Sequence, residues 1–164
     1  TVARYIDLLS DLMLVRRLPA WHGNVGKRLV RAAKVYVRDS GITHALLGLA
    51  TLESVLAHPV AGTSWEGFVI EQLIASAPDA EASFYRTSHG AEADLVLAFR
   101  SGATWVVEIK RSSAPAVSKG FHLAAKDVGA TKKLLVAPVA NSYPMRDGIE
   151  VMNPLAAARL VGEQ

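Results

Sequence analysis

The order of apolar patterns predicts an α/β protein, a mixed sheet flanked by helices. Strand-like runs at about 82–88, 92–99 and 104–110 follow one another across short turns. A helical segment, two shorter strands and a last helix follow them, and a longer helical segment precedes them, the element order of an α/β sandwich. With 164 residues, 51% hydrophobic and 20% charged, the chain has apolar material for one compact domain, or for a domain carrying a small appended module.

The chain opens with Thr1 as a plausible N-cap and Val2, Tyr5, Ile6, Leu8 and Leu9 at helical spacing. Starting in mid-pattern without Met, it is expected to be a fragment of a longer protein. Leu12 to Leu18 reads as a strand stopped by Pro19, and Lys34 to Arg38 as a second strand, stopped by Asp39-Ser40-Gly41. Between them lies a basic, glycine-containing loop, so this part matches the back half of a winged helix. Residues 42–57 predict one helix closing at His58-Pro59, and Gly62 is expected to mark the boundary between modules.

Thr63-Ser64-Trp65-Glu66 follows the capping-box pattern, opening a helix that keeps its period through Phe68, Val69, Leu73 and Ile74 to Pro78. After the three strands come a helix at 118–127, strands at 133–137 and 149–152, and a helix at 154–161 capped by Asn153. Trp65 and Trp105 sit among apolar neighbours and are expected in the core.

Cysteine is absent, which excludes disulfides and thiolate zinc sites and suits a reducing compartment. No run of eighteen apolar residues and no secretory signal pattern occurs, so the expected setting is soluble and cytoplasmic, with no membrane partner. Net charge is +3, but residues 1–40 carry +5 and the remainder −2. Arg16, Arg17, Lys27, Arg28 and Arg31 could track nucleic-acid phosphates or dock another domain, and both readings stay open.

Two strands end in charge where core is expected. Strict alternation puts Asp94 on the face of Val96 and Ala98, and Glu108 and Lys110 on the face of Val106. Burying such groups costs several kcal/mol unless they are paired or hold a metal. Phosphodiester cleavage by a divalent ion needs oxygen ligands and a group that orients or deprotonates water. Asp94, Glu108 and the Ile109 carbonyl could be the ligands, Glu66 could complete the shell, and Lys110 could lower the water's pKa or steady the charge on phosphate. Against this stand simpler readings. Asp94 could pair with Arg86, Glu66 could serve only its capping box, and Glu92 and Glu71 are expected to be solvated. His22, His44, His58 and His122 form no metal-ligand spacing, His89 is a turn residue, and no serine lies in a nucleophile elbow.

Asp94 followed by Glu108-Ile109-Lys110, with Glu66 on a preceding helix, resembles the PD-(D/E)XK nuclease superfamily. The chain resembles more closely the domain of unknown function that follows the AAA ATPase in many prokaryotic ATP-binding proteins. That resemblance rests on Thr1-Val2-Ala3-Arg4-Tyr5-Ile6, Lys34-Val35-Tyr36-Val37-Arg38-Asp39-Ser40-Gly41, Trp65-Glu66-Gly67-Phe68-Val69, Tyr85-Arg86-Thr87, Gly90-Ala91-Glu92-Ala93-Asp94 and Val107-Glu108-Ile109-Lys110. It implies a partial winged helix with a connecting helix over 1–58 and a restriction-endonuclease-like mixed sheet over 59–164. It implies Mg²⁺ or Mn²⁺ on Glu66, Asp94, Glu108 and Ile109, and catalysis by Glu66, Asp94, Glu108 and Lys110. DNA and the parent ATPase domain in cis are the implied partners. ATP would bind only outside this sequence, which holds no Gly-rich loop ending in Gly-Lys-Ser/Thr. One departure is Ala93, where the superfamily has Pro before its first acid. A non-catalytic interaction module that positions the ATPase is the alternative.

Overall fold

The computed structural model describes residues 1–23 and 29–164. The sequence-predicted phosphate contacts Lys27 and Arg28 lie outside the described residues. The chain runs α1 (Val2–Asp11), β1 (Val15–Leu18), β2 (Lys34–Val37), α2 (Ser40–Leu46), α3 (Leu52–Ala57) and α4 (Ala61–Ser76). It continues β3 (Glu81–Arg86), β4 (Glu92–Ala98), β5 (Thr104–Ile109), α5 (Lys119–Asp127), β6 (Lys132–Val136), β7 (Tyr143–Met145), β8 (Ile149–Met152) and α6 (Pro154–Gly162).

Six strands form one mixed sheet in the order β3-β4-β5-β6-β8-β7. The pairs β3–β4, β4–β5 and β7–β8 are antiparallel, and β5–β6 and β6–β8 are parallel. The crossover from β5 to β6 carries α5, because parallel neighbours cannot be joined by a tight turn. Helices cover both faces. On one, Val69, Ile70 and Leu73 of α4 and Ala157 and Val161 of α6 pack on Leu95, Leu97, Val107 and Leu134. On the other, Phe121, Ala124 and Ala125 of α5 pack on Val96, Val106, Leu135 and Val151. Strands buried on both faces explain the continuous run Leu95-Val96-Leu97 and Trp105-Val106-Val107.

Local chemistry sets the helix starts. The Ser118 side chain accepts from Phe121 N, and Asn153 accepts from Ala156 N with Pro154 in the first turn of α6. The expected capping box at Thr63–Glu66 does not form. α4 begins at Ala61, so Gly62 lies inside its first turn, and Thr63 and Glu66 sit within a helix already under way. A capping box forms instead at Thr51 and Ser54, because the helix expected over 42–57 is two helices. Gly48 lies between them with φ +69°, a conformation that ends α2 and that only glycine adopts without strain. The strand expected from Leu12 begins only at Val15, since Met13 takes φ +58° after α1. The short strand β7 has no expectation to match, its three residues being too few to show a period.

β1 and β2 form an antiparallel hairpin, Val15 opposite Val37 and Leu18 opposite Lys34. The segments next to it bond to β3, the outermost strand: Phe84 N donates to Pro19 O (2.9 Å), Trp21 N to Phe84 O (2.7 Å) and Val30 N to Arg86 O (2.9 Å). Leu18 and Tyr36 enter the core shared with α4. The Glu71 carboxylate, expected to be solvated, is buried and bridges the guanidinium groups of Arg16 and Arg38. Burial pushes the Glu71 carboxyl up, but the hydrogen bonds from the two arginines outweigh it and hold it below its ordinary value. No helix among the described residues is long and apolar enough to cross a membrane.

Candidate active site

The site lies where α4, β2 and the ends of β4 and β5 meet. A break in strand alternation builds it. Ser83 pairs with Val96, yet Tyr85, two residues on, pairs with Ala93, three residues back, so β4 holds one extra residue at Asp94–Leu95. Ala93 and Val96 consequently pack in the same core layer, while Leu95 and Leu97 pack in the other. Such a bulge re-aims a side chain. The strict alternation that put Asp94 on the face of Val96 therefore fails at that residue. The Asp94 carboxylate accepts a hydrogen bond from Ile109 N (Oδ2, 2.8 Å) and lies 3.8 Å from Lys34 Nζ through Oδ1.

Glu66 comes from the second turn of α4. Its Oε1 accepts from Tyr36 Oη at 2.5 Å and from Lys34 Nζ at 3.1 Å. Gly67 permits this approach, because a Cβ there would stand 3.1 Å from Tyr36 Cδ1. Next to Glu66, Trp65 donates through Nε1 to the Lys110 carbonyl (3.1 Å), tying α4 to the end of β5. Trp65 is thus half-buried against the core and is also a tether. Glu108 is buried and pairs with Lys110 Nζ at 2.6 Å.

Electrostatics show how close the acids stand. Burial, then the carboxylates of Glu66 and Glu108, push Asp94 up to about 7, against the opposing pull of Ile109 N–H and Lys34. Burial also pushes Glu108 up, although Lys110 opposes it. Both lysines are driven down by burial and held above their ordinary value by the surrounding carboxylates. The Tyr36 hydroxyl is pushed up by burial and by its bond to Glu66. Carboxyl groups pushed toward neutrality by burial and neighbouring like charge cluster at functional sites.

Glu66, Asp94, Glu108 and Lys110 are brought together, each within electrostatic reach of the others. Ile109 meets Asp94 through its backbone N–H. The residues that sequence reasoning passed over are Lys34, Tyr36 and Glu92. Glu92, expected to be solvated, is half-buried and stands 3.3 Å from Lys34 Nζ and 3.7 Å from Arg86, which pairs with Glu92 rather than with Asp94. The signal for the first two was present. Lys34 and Tyr36 are two apart on a strand and so share a face. Among the described residues no three His, Asp or Glu side chains stand close enough to hold a metal ion as they are. The Lys34 ammonium stands among Glu66, Glu92 and Asp94. The donor chemistry nevertheless suits a hard divalent cation, all of it oxygen.

Of the basic residues expected to face phosphate, Arg16 is bound to Glu71 and Arg17 to Asp7, while Arg31 is exposed. The first two therefore already hold carboxylates.

No solved structure matches the chain. It is 38% identical over 149 residues to the uncharacterized protein Rv2008c of Mycobacterium tuberculosis and, equally, to the uncharacterized protein Mb2031c of Mycobacterium bovis. The alignment takes in 91% of this chain and 34% of each relative, so the chain spans about a third of their length. Residues 1–53 match a second domain of unknown function (DUF8612). Residues 61–156, which carry the six-stranded sheet and all four acids of the site, Glu66, Glu92, Asp94 and Glu108, match the model of the domain of unknown function DUF4143, and the chain belongs to that family.

Proposed function

We propose that residues 59–164 are a PD-(D/E)XK nuclease-like domain that binds DNA and cleaves it with Mg²⁺ or Mn²⁺, in the C-terminal part of an AAA-type ATP-binding protein. The observation that carries this reading is the meeting of Glu66, Asp94, Glu108 and Lys110 at the ends of β4 and β5. The antiparallel β3–β4–β5 set continued by parallel β6 supports it too.

Glu66, Asp94, Glu108 and the Ile109 carbonyl would hold the ion, which supplies an activated water and neutralises charge developing on phosphate. The chain's own groups do the rest. Asp94, fixed by Ile109 N–H, keeps one oxygen committed and the other directed into the cluster. Lys110, held by Glu108, brings a positive charge to where the phosphate oxygens would gather. Trp65 keeps Glu66 and Lys110 at a fixed separation by joining their elements.

The test is Mn²⁺-dependent nicking of plasmid DNA by the full-length protein, with and without ATP. Nicking by wild type and its loss in Lys110→Ala are expected. The second reading, a non-catalytic module that positions the ATPase on a partner, draws on Lys34, whose ammonium already neutralises the acids. Metal binding without nicking under any of these conditions would favour it.

A further inference from the structure

The acids of the candidate site already have a cation. Lys34 Nζ stands 3.1 Å from Glu66 Oε1, 3.3 Å from Glu92 Oε1 and 3.8 Å from Asp94 Oδ1. An ammonium has three N–H donors, and three carboxylates surround it. These acids come from α4 and β4, whereas the lysine comes from the hairpin formed by β1 and β2. The side chain is about one-fifth exposed, and its ammonium lies 5.4 Å from the centre of the Phe84 ring. It therefore reaches the acids through a packed wall while keeping one side open to solvent.

We propose that Lys34 is the resident cation of this site, occupying the place beside Glu66 and Asp94 that a divalent ion would take, so that metal loads only by displacing it. The inference rests on the metal-site reading above. Four carboxylates, Glu66, Glu92, Asp94 and Glu108, face two ammonium groups, Lys34 and Lys110. The acids outnumber the ammonium groups by two, so the cluster carries excess negative charge that attracts a divalent ion. Both cations cannot occupy the same point, and Lys34 Nζ already stands 3.1–3.8 Å from an oxygen of each of three acids. Lysine suits the role: its ammonium is a compact charge on a flexible four-carbon stem, which can swing out through the exposed side without moving the hairpin. Tyr36, two residues on, keeps its bond to Glu66 and holds that carboxylate in place while the lysine leaves.

Two consequences distinguish this from a lysine that merely braces the fold. Metal affinity should be limited by Lys34, and metal should set Lys34 free. Mn²⁺ titrations of the 164-residue chain by calorimetry are expected to show Lys34→Gln binding at least tenfold tighter than wild type, with Lys34→Arg no tighter. Melting in EDTA should fall for Lys34→Gln and recover with Mn²⁺ by more than wild type gains. In unmodified protein, acetylation of Lys34 by a water-soluble reagent, followed by mass spectrometry, should quicken several-fold on adding Mn²⁺ while Lys119 and Lys126 are unchanged. This arm needs no variant to fold.

Equal Mn²⁺ affinity in wild type and Lys34→Gln, both weakened by Glu66→Gln, would overturn the displacement and leave the metal site standing. Mn²⁺ binding by none of the proteins would overturn both. Slower or unchanged acetylation of Lys34 at saturating Mn²⁺ would also overturn the displacement, because the ammonium would then have stayed.

Discussion

Replacing Asp94 by Asn should make the protein more stable at pH 8. The carboxyl titrates at about 7 against an ordinary 3.8, with burial as the largest cause and the carboxylates of Glu66 and Glu108 next. A rise of that size corresponds to about 4 kcal/mol spent at full ionisation. Asn keeps the acceptor for Ile109 N–H but withdraws a partner from Lys34, so roughly half of that, about 2 kcal/mol, is expected as net gain. For a chain of this length that is a rise of about 4–8 °C in melting temperature. The pH dependence gives the sharper check. A folded-state value above the unfolded one means the group's contribution is fully present below about pH 4 and lost as pH rises through about 7. The advantage of Asp94→Asn should thus be largest at pH 8 and shrink to less than half by pH 5. Thermal unfolding followed by circular dichroism in EDTA across pH 5–8 measures it. A variant that melts at or below wild type at pH 8, or whose difference does not change with pH, refutes the claim that like charge is concentrated at Asp94. Stability gained by removing a buried charge is what a site shaped for binding, rather than for folding, produces.

Glu71 should behave in the opposite sense. Glu71→Gln leaves Arg16 and Arg38 without their shared carboxylate and should cost about 2–3 kcal/mol at pH 7 by chemical denaturation. Because its folded-state value lies below the ordinary one, that contribution is present above about pH 4 and is lost as pH falls through the folded value, so the gap to wild type should close in acid. Gly120→Ala should destabilise although alanine is the better helix former by about 1 kcal/mol. The new Cβ would stand 2.5 Å from the Gly90 carbonyl, backbone that cannot step aside, and a net loss of about 1–3 kcal/mol is expected on melting. Trp65→Phe keeps an aromatic ring but removes the indole N–H that donates to the Lys110 carbonyl and leaves a smaller side chain against the core, for about 1–3 kcal/mol in stability and a measurable drop in Mn²⁺ affinity. An unchanged affinity would show that the tether does not position the acids.

What could be read from the sequence was local. The two charge-tipped strands and the turn between them, the Asn153 cap and the four residues Glu66, Asp94, Glu108 and Lys110 are each specified within a few positions of the chain. What escaped depends on partners far away. The extra residue in β4 is defined only against β3, so alternation read along one strand misplaced Asp94. Glu71 looked solvated because it lies off the face of Glu66, while its arginines sit 55 and 33 residues upstream. Lys34 reaches Glu66 across 32 residues and looked like one more base in a basic segment. The break at Gly48 was legible in principle, since a lone glycine can serve as a helix end, but the leucine period ran through it.

The hydrogen bonds that Pro19, Trp21 and Val30 make with β3 bear on how the chain can be divided. β3 is an edge strand, and edges with free N–H and C=O groups recruit other strands. Trimming the protein to residues 59–164 would strip the cover from Phe84 and Arg86 and leave a sticky border beside the candidate site. The N-terminal hairpin is therefore also a shield against self-association.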